Sequence, residues 1–152
     1  MASESPPRSR ARRRRDTEYR LGTDIDVWVA SASADGAPYL VPLSFDWDGE
    51  AMLMATPTDS PTGRNLATTR TVRVGLGGTR DVIMIEGHVD VLEIGALSQE
   101  RGDRFVAHAG FDPRAVDTPY SWFRITPRRI QAWREVNELP DRELMRDGHW
   151  LV

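Results

Sequence analysis

Thr56, Thr58, Ser60 and Thr62 recur at every second position of the stretch TPTDSPTGRN, and Arg64 and Asn65 close it. Four hydroxyls, a guanidinium fork and an amide are groups that can converge on a phosphate. If Thr62 caps a short helix starting in TGRNLATT, the free N–H groups of Gly63, Arg64 and Asn65 point at the same anion. Gly63 would let a ligand approach the backbone. Residue types alone leave a second reading level with this one: a Ser/Thr/Pro loop whose hydroxyls only cap.

Other chemistries find less support. There is no cysteine, which excludes disulfides, thiolate catalysis and Cys-based zinc sites. All 20 basic residues are Arg, which excludes a lysine Schiff base or a Walker lysine. His88, His108 and His149 lie far apart and lack metal-ligand spacing, so no metal site is expected. No G-x-S-x-G elbow occurs, and the carboxylates are too scattered to single out a glycosidase pair. GLGGTR at 75–80 lacks the third glycine of a dinucleotide fingerprint and precedes a strand, so it reads as a hairpin turn.

The elements that must position the hydroxyl-rich loop are mostly strands. The chain has 152 residues, enough for one domain. From Thr23 the apolar residues alternate: Ile25, Val27 and Val29 share one face, ADGAP turns, and YLVPLSFDW follows, with Pro42 marking an edge or a bulge. AMLMAT makes a third strand before the loop, and TVRVGLG a fourth after it. In DVIMIEGHVDVLE, Ile83, Ile85, Val89 and Val91 oppose Glu86, His88 and Asp90, and Gly87 marks a bulge or a close approach. LSQERGDRFVAHAGFDP predicts a helix capped by Ser98 and stopped by Gly110. YSWFRITPRRIQAWRE predicts two strands around Pro127, and the terminal Trp-Leu-Val is expected to dock. Six or seven short strands with one or two helices point to a mainly β fold, a small antiparallel barrel.

Residues 1–22 look different. Residues 1–20 hold seven Arg against Glu4, Asp16 and Glu18, while the remainder holds 13 Arg and 20 acids. A basic, apolar-poor tail ahead of an acidic body reads as disordered, with the folded domain at 23–152. No apolar h-region follows the arginines, so no signal peptide is expected. No run approaches the ~20 apolar residues of a membrane span, so no membrane partner is expected, and a cytoplasmic location fits the absence of cysteine.

The ordered set ADGAPYLVPLSFDWDGE, LMAT, SPTGRNL, VRVGLG, RDVIMIEGHVDVLE and YSWFRITPRRIQAW resembles the pyridoxamine 5′-phosphate oxidase-like flavoproteins over about residues 24–134. That superfamily of FMN-binding split β-barrels also contains the deazaflavin (F420)-dependent reductases. The resemblance implies a Greek-key split barrel and a homodimer with two cofactors at its interface. It places Thr56, Ser60, Thr62, Arg64 and Asn65 on the cofactor phosphate. Val41, Pro42, Leu43 and Ser44 would run beside the isoalloxazine ring, and Arg80 and Asp81 would lie near the ring or the ribityl chain. Trp122 would approach from the partner subunit. Two departures set the chain apart from the true oxidase. Pro61 and Thr62 stand where that branch has Arg-Lys, and the end RDGHWLV lacks its Arg-Leu-x-Pro stretch.

The function this implies is a flavin-dependent oxidoreductase acting on a small molecule. The cofactor carries the chemistry, and no side chain is required as a catalyst. The acidic body tips the choice to FMN, with F420 as the alternative. A binding module holding a flavin or heme without turnover is the second reading. A nucleic-acid binder ranks last, because no aromatic residues interleave with the arginines.

Overall fold

The computed structural model describes residues 5–152. Six strands run antiparallel in the order β3-β2-β1-β4-β5-β6: β1 (Asp26–Ala32), β2 (Pro38–Trp47), β3 (Met52–Pro57), β4 (Thr71–Leu76), β5 (Val82–Glu93) and β6 (Tyr120–Trp133). β3 also pairs with β6, from Met52↔Ile125 to Pro57↔Tyr120, so the sheet closes into a barrel. The first four strands take the spatial order 3-2-1-4, a Greek key. Closure removes most of the free edges that so many short strands would otherwise expose.

The alternating pattern does what its period requires. Val27 and Val29 of β1, Val72 and Val74 of β4, and Ile83, Ile85 and Val89 of β5 point inward and meet Phe45, Met52, Met54 and Ile125 in one core. Ile25 lies outside this face and is exposed, because β1 begins one residue after it. Gly87 marks a bulge: the β5–β6 register shifts between Glu86 and Gly87, and a Cβ on Gly87 would press into Ile125 Cγ2. The same shift absorbs Pro127. β6 is therefore one strand of 14 residues, not two strands around that proline.

The structure has eight strands and three α-helices among the described residues, more than the sequence pattern suggests. The extra strands are a hairpin, β7 (Glu143–Arg146) and β8 (His149–Trp150), which extends the sheet from β6. Trp150 packs against the core there, while Leu151 and Val152 stay exposed. A helix over Pro61–Thr69, α2, joins β3 to β4. Another over Gln99–Ala109, α3, is capped by Ser98 and stopped by Gly110 at φ 76°, as the sequence indicates. Its Arg101 reaches the buried Asp46 of β2 at 2.6 Å, and Phe105 packs with Leu53, Ala55 and Trp122 in a second core cluster.

The main correction concerns the tail. Arg10–Thr23 forms a helix, α1, with Ser9 as its N-cap. Residues 1–4 of the expected disordered segment lie outside the described residues. α1 carries little apolar surface, but Arg13, Thr17 and Leu21 are buried along one face at i, i+4 and i+8. The charge asymmetry supplies the rest. Arg8 bonds Glu138 through Nη2 at 2.8 Å, and Arg20 approaches Asp24 at 3.2 Å and Asp81 at 3.7 Å. The basic segment docks on the acidic body of its own chain. Composition cannot show this, because Asp81 and Glu138 lie more than sixty residues from the arginines they meet.

Candidate functional site

Only Phe45–Trp47 of β2 pairs with β3, at Met52–Met54. Beyond that point the strands part. β2 from Pro38 to Ser44 keeps β1 on one side and, among the described residues, has no strand on the other. This is the stretch that carries Pro42, which a two-sided central strand would not tolerate. The split leaves the edge of Val41, Pro42, Leu43 and Ser44 facing the exit of β3, where the hydroxyl-rich loop begins. Thr56 is the last residue but one of β3, and Ser60 stands just before α2.

At that junction most of the polar groups already have partners. Ser60, not Thr62, is the N-cap: its Oγ accepts from Gly63 N at 3.0 Å and donates to the Pro57 carbonyl at 2.7 Å. Pro61 occupies the first helical position, where a missing N–H costs nothing. Arg64 N bonds back to Ser60 O at 2.9 Å. Thr56 Oγ1 lies 3.4 Å from Ser60 Oγ, and Thr58 Oγ1 pairs with Ser121 Oγ at 2.8 Å. Asn65 Nδ2 donates to Ser31 Oγ at 3.2 Å, tying α2 to β1. Arg64 folds its guanidinium onto Asp59 O at 2.5 Å but is exposed and free to swing out.

Thr62 stands apart. It is 2 % exposed, and its Oγ1 has no hydrogen-bond partner among the described residues. An unmade buried hydroxyl bond costs about 1–3 kcal/mol, so this atom asks for an explanation. Gly63 has a different role from the one its type suggests. A Cβ there would run into the Pro57 carbonyl and come within 2.9 Å of Thr58 O. The glycine lets the helix pack against its own loop, and its amide is already taken by Ser60.

The remaining expected site residues are not brought here. Arg80 and Asp81 sit in the β4–β5 turn, at the opposite end of the barrel. There Asp81 faces Arg20 and Arg134 from α1 and the end of β6, with Arg134 at 3.4 Å, while Arg80 reaches only Glu135 at 3.5 Å. Asp81 thus helps to clamp α1. Trp122 is fully buried. Its ring meets Phe105 edge-on at 5.1 Å, and its Nε1 donates to Ile94 O at 3.1 Å. It is a core residue behind Ala55, its cross-strand partner. Conversely, Ser31, Asp59 and Ser121 belong to the junction and escaped the sequence reading. Ser31 and Ser121 meet it only through long-range pairing, and Asp59 carries no motif signal.

Next to the free edge, the outer face of β2-β1-β4-β5 carries an apolar patch bordered by Arg73. Trp28 is 53 % and Leu40 60 % exposed, and Met84 is also open. With Gly75 and Trp133 they line a trough of about 600 Å³. No helix among the described residues is long and apolar enough to cross a membrane.

Residues 25–134 match the model of the pyridoxamine 5′-phosphate oxidase family. A search of curated proteins by sequence finds no match. Among solved structures, an F420 reductase is 21 % identical, with a TM-score of 0.59 over 74 % of this chain and 94 % of that one. A candidate pyridoxamine 5′-phosphate oxidase from Listeria innocua is 15 % identical, with a TM-score of 0.63 over 80 % and 98 %. HupZ from Group A Streptococcus is also 15 % identical, with a TM-score of 0.60 over 79 % and 94 %. At these identities the structures share the fold.

Proposed function

The chain belongs to the pyridoxamine 5′-phosphate oxidase family, and from that premise we propose that it is an oxidoreductase working through a flavin-type cofactor on a small organic molecule. Thr62 Oγ1 carries the reading. A buried hydroxyl without a partner, in the first turn of α2 and beside the split between β2 and β3, suits a phosphate oxygen. Thr62, closed to solvent in the ligand-free chain, would donate to that oxygen once the first turn of α2 opens around it, and Arg64 would turn from Asp59 O to join it. The free backbone edge of Val41–Ser44 would meet the polar rim of the ring. When bound, the cofactor supplies the hydride chemistry. The protein's part is to hold its phosphate, align its ring and keep water from one face.

The charges of the junction bear on which cofactor fits. Arg64 is its one cation among the described residues. A single guanidinium matches a singly charged phosphodiester, as in the deazaflavin F420, better than the dianion of FMN. This reverses the order expected from the acidic body alone.

Titration of the purified protein with FMN, F420 and riboflavin, read by fluorescence, tests the site. Arg64→Ala is expected to weaken the phosphate-bearing cofactors about tenfold, the worth of one charge-assisted bond, and to leave riboflavin unchanged. Thr62→Val should raise the melting temperature of the cofactor-free protein while lowering phosphate-cofactor affinity, because it removes the orphan hydroxyl at nearly constant volume. Equal loss for riboflavin, or no loss for any ligand, would remove the phosphate from this junction.

The apolar trough supports a homodimer. A second copy laid over Trp28, Leu40 and Met84 would cover it and close the ring side of the split. Sedimentation velocity is expected to give a dimer at micromolar concentration, and Leu40→Glu with Trp28→Glu a monomer. A wild-type monomer would leave the site to a single chain.

A further inference from the structure

A cleft of about 700 Å³ lies between α1 and the β7–β8 hairpin, along the half of β6 away from Thr62. Four guanidinium groups face it: Arg10 from α1, Arg129 from β6, and Arg142 and Arg146 from the C-terminal segment. Only two carboxylates, Asp141 and Glu143, share the space. Glu143 is doubly committed. It takes Arg129 Nε at 2.7 Å and also pairs with Arg146, and these partners hold its carboxyl below the usual range.

Arg10 and Arg142 have no carboxylate within ion-pair distance among the described residues. Arg10 is held in place by its bond from Nη2 to the Glu143 carbonyl at 2.7 Å, yet its Nε is buried and unpartnered. Arg142 lies 5.7 Å over the Trp133 ring, an interaction that leaves its N–H fork open. Like charges gathered in one cleft repel. The body has acids in excess, but it does not neutralise this place. Leu139 and Leu151 line the wall beside the arginines.

We propose that this cleft binds a small phosphate monoester. Its dianionic head matches the two unpaired guanidinium groups, and its oxygens accept from the open fork of Arg142 and from the N–H groups of Arg10 that the Glu143 carbonyl leaves free. The organic part packs on Leu139 and Leu151. The site is separate from the α2 junction, and it stands whether or not a flavin binds there.

Calorimetry of the full chain with glycerol 3-phosphate tests it. Submillimolar binding that weakens with added salt is expected, and glycerol itself should not bind. Arg142→Gln and Arg10→Gln should each weaken binding about tenfold, while Arg64→Ala leaves it unchanged. Arg142 is exposed, so its variant should keep the wild-type melting temperature and isolates binding from folding. No heat at millimolar glycerol 3-phosphate, wild-type affinity in Arg142→Gln, or inorganic phosphate binding as tightly as the ester would each overturn the assignment.

Discussion

Exchanging Glu138 for glutamine is expected to remove about 2–3 kcal/mol of folding stability: the buried Arg8 loses its charged bonds to this carboxylate but keeps its pair with Asp16 at 2.9 Å and Asp81 at 4.0 Å. Glu138 is 3 % exposed and accepts from Arg8 through its backbone N at 2.8 Å, Nε at 3.0 Å and Nη2 at 2.8 Å. Arg134 N adds a bond at 2.8 Å, and Arg13 donates to the Glu138 carbonyl at 3.1 Å. One carboxylate thus fastens the segment before α1, the end of β6 and the turn that carries Glu138 itself. The bonds from Arg8 hold its pKa down to about 2, from an ordinary 4.5.

A depressed carboxylate contributes stability above its unfolded value and loses it as pH falls through the folded one. The contribution, about 3 kcal/mol by linkage, should be complete above about pH 5 and gone near pH 2. Urea midpoints at neutral pH and at pH 3 read it. Wild type should fall across this window, and Glu138→Gln should lack that part of the fall. The paired replacement Arg8→Met with Glu138→Leu should recover most of the loss, since it strands no charge. A single variant as stable as wild type would mean that α1 is held by Leu21 and its neighbours alone.

Trp122→Ala should cost about 3–5 kcal/mol, the range for emptying a buried aromatic site. The side chain fills the cluster under α3, stacks edge-on with Phe105 and satisfies the Ile94 carbonyl, so its loss leaves a cavity and an orphaned acceptor. Thermal melts should show a drop of roughly 10 °C, at about 2–4 °C for each kcal/mol in a domain of this size. Trp122→Phe should fall between, keeping the ring contact but losing the indole bond. Flavin affinity should follow stability in both variants. If Trp122→Ala melted like wild type but no longer held cofactor, the ring would belong to the cofactor and not to the core.

The barrel could be read from the sequence because its signal is local. Period-two alternation in β1, β4 and β5, the Asp-Gly turn before β2, and the caps of α3 depend on neighbours within a few residues. Pro42 even announced its edge. The candidate junction was legible as a set of residue types, and Thr56, Ser60, Thr62, Arg64 and Asn65 do gather at one place. Their roles were not legible. Which hydroxyl caps the helix depends on the position of the Pro57 carbonyl, and that same carbonyl gives Gly63 its purpose. Thr62 became the atom of interest only because every neighbouring hydroxyl found a partner and it did not.

Arg80, Asp81 and Trp122 show the limit from the other side. Nothing within ten residues of Asp81 says that Arg20 will lie over it, and an indole reads alike whether it meets a core or a ligand. The sequence by itself determined the class of fold, the strand faces, the chemistries excluded by the lack of Cys and Lys, and the segment where an anion could sit. Tertiary structure alone decided that a tail of arginines becomes a helix, that β2 parts from β3, and which polar atoms remain unpaired. The reason is range: backbone alternation and capping are set by adjacent residues, whereas charge pairing and burial are settled between groups that meet only when the chain closes.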